Sequence, residues 1–130
     1  SASWTEKMHL TKTLNLKFSP DYSKLNGESR ILVAKKGKDV YSFDIETRNE
    51  YQFSVSNDGK IKWLDDFILG DFEGERMAIY DFDGMNKQIL SRAVSSLPFT
   101  LSNDNKYIYS FIQNNSGGYS LNRLKMTIEE

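Results

Sequence analysis

Apolar and polar residues alternate along most of this chain in short runs, separated by clusters of Asn, Asp, Gly and Ser. Successive side chains of an extended strand point to opposite faces, so this alternation predicts strands and leaves few windows with helical periodicity. Residues 75–90 show the pattern most clearly. They read as two strands, 77–82 and 87–90, joined by a turn at Asp83-Gly84-Met85-Asn86. Further strands are predicted at 4–13, where Trp4, Glu6, Met8 and Leu10 share one side, and at Leu14, Leu16 and Phe18. Others follow at 29–34, 40–46, 51–55, 61–64, 67–71, 98–101, 106–112 and 119–128. Ser19-Pro20-Asp21-Tyr22-Ser23 reads as a turn, since Pro fixes φ and Asp and Ser bond back to the backbone. Residues 35–39 and 114–118 read as hairpin loops, and Asn57-Asp58-Gly59 as a tight turn with a residue at positive φ.

These elements repeat at roughly 40 residues, a period in the range of propeller blades. Phe18-Ser19-Pro20-Asp21 and Leu101-Ser102-Asn103-Asp104 take the same place, after a short first strand and before a hydrophobic second one. Residues 61–66 take it in the middle unit. In the third strands, Asp44, Asp81 and Arg123 fall at one register, beside Ile45, Phe82 and Leu124. The expected fold is therefore all-β: one domain over residues 1–130, with about three four-stranded antiparallel blades near 14–55, 60–94 and 98–128. Such blades bury their faces by stacking sheet on sheet. An ordinary β-sandwich is the alternative.

The stretch FSPDYSKL from Phe18, followed by VYSFDIET from Val40, resembles TolB-type (WD40-like) β-propeller repeats. So does AIYDFDGMNKQIL from Ala78, followed by FTLSNDNKYIYSF from Phe99. Tyr22 stands where that pattern usually has Gly, and the middle unit lacks Ser-Pro-Asp. A fainter likeness is to the propeller regions of bacterial cell-surface proteins that carry PEGA domains. The resemblance implies a bacterial envelope or extracellular setting and a module that binds protein or glycan. It also implies that an N-terminal strand, here 4–13, completes the last blade. Three blades are too few to close a ring. Two arrangements satisfy the surplus strand: a segment of a longer propeller, or a six-bladed ring of two chains that exchange edge strands.

The totals narrow the function classes. Among 130 residues, 17 basic and 18 acidic side chains give a net charge of −1, so no broad field for nucleic acid or anionic membrane arises. The absence of cysteine removes disulfides, thiol catalysis and Cys-based zinc sites. No apolar run is long enough to span a membrane. His9, the single histidine, lies off the Trp4, Met8 and Leu10 side of its strand, which predicts a solvent-facing ring and no triad. Asp81-Phe82-Asp83-Gly84-Met85-Asn86 superficially matches a calcium loop but lacks the ligand spacing, and Arg92 stands where the closing Glu belongs. Lys35, Lys36 and Lys38 read as a basic hairpin tip. Neither a phosphate loop nor a nucleophile elbow is present, so no enzyme and no cofactor are expected. The candidate binding residues are Trp63, Asp65 and Asp66, placed where a first strand nears the ring axis. An accessory propeller domain of a hydrolase and a carbohydrate-binding sandwich are the other readings.

Overall fold

A computed structural model describes Phe18, Pro20 and residues 22–125. Among them lie eleven strands and no helix, arranged as three separate antiparallel sheets taken in chain order. The first contains β1 (Tyr22–Leu25), β2 (Ile31–Lys36), β3 (Asp39–Asp44) and β4 (Glu50–Ser54). The second contains β5 (Lys62–Trp63), β6 (Ile68–Glu73), β7 (Arg76–Asp81) and β8 (Gln88–Arg92). The third contains β9 (Thr100–Leu101), β10 (Tyr107–Gln113) and β11 (Tyr119–Lys125). Each sheet is a meander in which sequential strands pair. Tight loops join β2 to β3 and β6 to β7, so Lys36 faces Asp39 and Glu73 faces Arg76. The predicted strand at 4–13, and with it His9, lies outside the described residues.

Alternation within each strand creates two faces, and burial shows what each face meets. Val33, Val40 and Val55 of the first sheet and its exit form one cluster with Ile61, Leu69 and Tyr80 of the second. Met77 and Ile79, on the opposite face of the second sheet, form another with Phe99 and Ile108 of the third. The second sheet is thus sandwiched between its neighbours. Edge-to-face ring pairs mark both seams: Phe53 with Tyr80 at 5.6 Å and Phe72 with Phe99 at 5.3 Å. Such contacts add to the burial of apolar area, which is the dominant stabilising term. On the far side of the first sheet, Tyr41 and Phe43 are buried with Phe18 against them.

Three details differ from the expected pattern. Residues 22–25 are a strand and not the end of a turn: they pair in unbroken antiparallel register with β2, from Tyr22 opposite Lys35 to Leu25 opposite Leu32. The turn between first and second strands is therefore 26–29. The Asn26 side-chain oxygen accepts from the Arg30 and Ile31 amides at 2.8 and 3.0 Å, as Ser102 Oγ accepts from Lys106 and Tyr107 at 3.2 and 3.0 Å. Asn26, not Ser19, is the counterpart of Ser102. Lys35 and Lys36 belong to β2, which shortens the predicted loop at 35–39. Finally, Ile31 faces Asp44 and Ile68 faces Asp81, whereas Tyr107 faces Lys125. Lys125 thus holds the place expected for Arg123, because the β10–β11 connection is longer than the other two hairpins.

Candidate functional site

Trp63 ends β5, and Asp65 and Asp66 lie in the loop that follows. This loop sits between the corresponding loops of the other two sheets, and hydrogen bonds tie the three in a row. On one side, Asn26 Nδ2 donates to the Asp66 carbonyl at 2.7 Å. On the other, Asn105 Nδ2 donates to Asp65 Oδ2 at 3.1 Å. Each of these bonds links residues 40 apart in sequence. A third bond of the same spacing, from Ser42 Oγ to the Phe82 carbonyl at 2.7 Å, joins β3 to the turn that follows β7.

The chemistry of each candidate follows from these partners. Asp65 Oδ1 accepts from the Phe67 and Ile68 amides at 2.8 and 2.7 Å, so this carboxylate closes its own turn while its other oxygen holds Asn105. Acceptor bonds of this kind are the strong, charge-assisted type. Asp66 is half-buried, and its carboxylate lies against Gly27: a Cβ added there would meet Asp66 Oδ1 at 3.2 Å. Trp63 packs its ring on the cluster shared by the first two sheets and donates Nε1–H to the Lys24 carbonyl at 3.4 Å. The structure therefore brings the three predicted residues into one short segment, with Trp63 contributing to the core as well as to the surface.

The other acids of the middle unit disperse. Asp81 accepts from Asn86 at 2.7 Å, and Asp83 caps the Met85 amide at 3.0 Å. Glu73 pairs with Lys87 at 2.8 Å and Glu75 with Arg92 at 3.4 Å. No three acidic or metal-ligating side chains converge among the described residues. A cleft of about 470 Å³ opens at the far end of the second seam, between Glu75 and Arg92 on one side and Ile112 and Gln113 on the other. It is remote in sequence from the loop row, and its paired charges leave it without a dominant chemistry.

Three polar constellations escape the sequence reading. Arg30 clamps Asp44 through Nε and Nη2 along one guanidinium edge, at 3.2 and 3.0 Å, and Asp44 also caps the Glu46 and Thr47 amides. The guanidinium first, then those amides, hold the Asp44 carboxyl at about 2, below the ordinary range. Between the first two sheets, Asp71 is buried and accepts from the Tyr80 hydroxyl at 3.2 Å. Burial pushes Asp71 up to about 6 and pushes the Tyr80 hydroxyl up as well, with the Asp71 charge adding to it. Lys35, read as a hairpin tip, is instead buried, and its Nζ donates to the Asn57 and Gly59 carbonyls. A cue was available, since Lys35 continues the alternation of Ile31 and Val33 on one face of β2.

No protein-family profile matches this chain, and no curated protein matches its sequence.

Proposed function

We propose that this chain is a non-catalytic binding or scaffold module built of propeller-type blades, which contacts a protein or glycan through the loop row bearing Trp63, Asp65 and Asp66. The observation that carries the reading is the pair of side-chain hydrogen bonds that join the loop of the second sheet to those of the first and third, each across 40 residues. They place the same loop of each unit along one side of the stack, as repeated blades would. Stacked repeats of this type present extended surfaces for binding. Asp65 supports a non-catalytic role, because both its oxygens are committed to structural donors. A cell-envelope or extracellular setting follows from the TolB-type resemblance alone.

Glycan and peptide arrays probed with the labelled chain test the proposal, with hits remeasured on Asp66→Asn. Loss of a hit on that substitution supports the reading. Hits that survive it, or empty arrays of both kinds, would count against the loop row as a binding surface.

A further inference from the structure

We propose that Asn26-Gly27 is a deamidation site, that opening of the first seam gates its reaction, and that the product uncouples the first sheet from the second. The inference concerns the turn itself and is independent of any ligand at the loop row. It begins with the sequence. Nowhere else in the chain does Asn precede Gly. That pair is the most prone to intramolecular attack on the side-chain amide, because a following residue without Cβ leaves its own backbone nitrogen unshielded. The fold supplies a reason for the pair. A Cβ at position 27 would meet Asp66 Oδ1 at 3.2 Å, so the close approach of the two loops favours glycine directly after the residue whose side chain makes the seam.

The reaction consumes water and no other reagent. The Gly27 backbone nitrogen loses its proton to solvent base and attacks Asn26 Cγ. A C–N bond forms, the Cγ–Nδ2 bond breaks, and Nδ2 takes a proton from solvent and leaves as ammonia. Water then opens the succinimide ring at either carbonyl carbon. Addition at Cγ gives aspartate with the backbone intact. Addition at the backbone carbonyl carbon gives isoaspartate, whose main chain runs through the former side chain. In the folded chain the amide is pinned against this chemistry. Its oxygen accepts from the Arg30 and Ile31 amides, and its nitrogen donates to the Asp66 carbonyl. The Asn26 backbone N–H donates to the Ile31 carbonyl at 2.9 Å, and the Asn26 carbonyl accepts from the Ser29 amide at 3.0 Å. Cyclisation expels Nδ2 and draws Cγ into a ring with the Gly27 nitrogen, so the bond to Asp66 and the turn must both yield first. Gly27 itself is exposed, and solvent reaches the pair once the seam opens. Local openings of this kind need less free energy than global unfolding.

The aspartate product alters one bond in kind. A carboxylate at position 26 still accepts from the Arg30 and Ile31 amides, but it has no proton to give the Asp66 carbonyl. Two acceptors then oppose one another across a contact of 2.7 Å at a buried position, where an unsatisfied charge is costly. Aspartate therefore keeps the turn and severs the seam, whereas isoaspartate, with an added main-chain carbon, disrupts both. Neither product returns to the amide without a nitrogen donor, so each opening that ends in cyclisation leaves a permanent mark on the joint between the sheets.

Chains aged at mildly alkaline pH, in buffer and in urea, test this by mass spectrometry of the tryptic peptide 25–30. Deamidation of Asn26 is expected to be at least about ten-fold slower in the native chain than in urea. Asn115, exposed in a hairpin loop and followed by Ser116, serves as the internal control and is expected to differ little. Ile61→Val loosens the first seam and Ile108→Val the second. The former is expected to speed the native reaction at Asn26 more than the latter. Asn26→Asp reproduces the aspartate product and is expected to lower the urea midpoint at neutral pH. Equal Asn26 rates in buffer and in urea overturn the proposal, as does an unmodified Asn26 in urea. Equal acceleration by Ile61→Val and Ile108→Val overturns the gating by one seam, and an unchanged midpoint for Asn26→Asp overturns the uncoupling.

Discussion

The Asn26 side-chain amide reaches the backbone carbonyl of Asp66 at 2.7 Å, joining the first-to-second-strand turns of two sheets. The same side chain closes its own turn through the Arg30 and Ile31 amides, and it is only 4% exposed. One residue thus fixes a local turn and a long-range seam together. Asn26→Ala removes all three bonds and strands buried partners, so it is expected to destabilise the fold by about 2–4 kcal/mol. Urea unfolding checks this through a lowered midpoint at unchanged slope. An unaltered midpoint would show that the bond is incidental.

Asp71 sets a pH dependence of unusual sign for a carboxylate. Its folded value of about 6 lies above that of the unfolded chain, chiefly through burial. Tyr80, Lys87 and Lys35 act the other way, and Glu73 adds to the rise. The native state therefore holds a proton that the unfolded state has released, and stability declines as pH rises from about 4 to about 6, by up to about 3 kcal/mol. Asp71→Asn keeps the shape and the acceptor for Tyr80 without the charge. It is expected to flatten that decline, seen as equal urea midpoints at pH 4.5 and 7; a slope that persists in the variant assigns the effect elsewhere.

Asp44 acts in the opposite sense. Held at about 2, mainly by Arg30, it stays ionised in the native state after the unfolded chain protonates. Its contribution is present above the ordinary carboxylate value and fades as pH falls toward 2. Arg30→Gln is expected to raise the Asp44 carboxyl toward the ordinary range and to move acid unfolding to higher pH. An NMR titration of that carboxyl reads the first effect directly, and no upward movement would mean that the Glu46 and Thr47 amides alone hold it down.

Gly84 and Gly37 separate two costs of adding a side chain. Both have positive φ, at 85° and 58°. A Cβ at Gly37 meets nothing within 4 Å, whereas one at Gly84 would lie 2.5 Å from Phe53 Cγ. Gly37→Ala is expected to cost about 1 kcal/mol from backbone strain alone. Gly84→Ala adds an overpacking term of about 1–3 kcal/mol, since Phe53 sits in the seam. Thermal melts of the two variants test the ranking, and equal losses would exclude the Phe53 contact.

Strand positions were largely legible because alternation and turn chemistry are local. Residues 77–82 and 106–112 announce themselves through apolar spacing, and Asp83-Gly84 through its turn residues. What alternation misplaces depends on pairing. Tyr22-Ser23-Lys24-Leu25 has too little apolar content to stand out, and Pro20 and Asp21 beside it drew the turn one element too early. Asn26-Gly27 carried a turn signal of its own, but its function as a seam depends on Asp66, which no local window contains. Lys35 is misleading for a related reason: a lysine beside a hairpin is ordinarily solvated, and the carbonyls of Asn57 and Gly59 help to make its burial tolerable. For Trp63, Asp65 and Asp66, sequence order brought them close together, whereas the involvement of Asn105 and Lys24 emerged only from the stacking.

Because the second sheet donates one face to each apolar cluster, its loss would deprive both neighbours of a partner, while loss of either neighbour leaves one seam intact. The chain is in this respect a linear array of coupled units. Damage at Leu69 or Met77 should propagate through the whole array, and damage at Val33 or Ile108 should remain closer to home. Amide protection should accordingly peak in β6 and β7 and decline toward both ends, a gradient of cooperativity set by which layer lies in the middle.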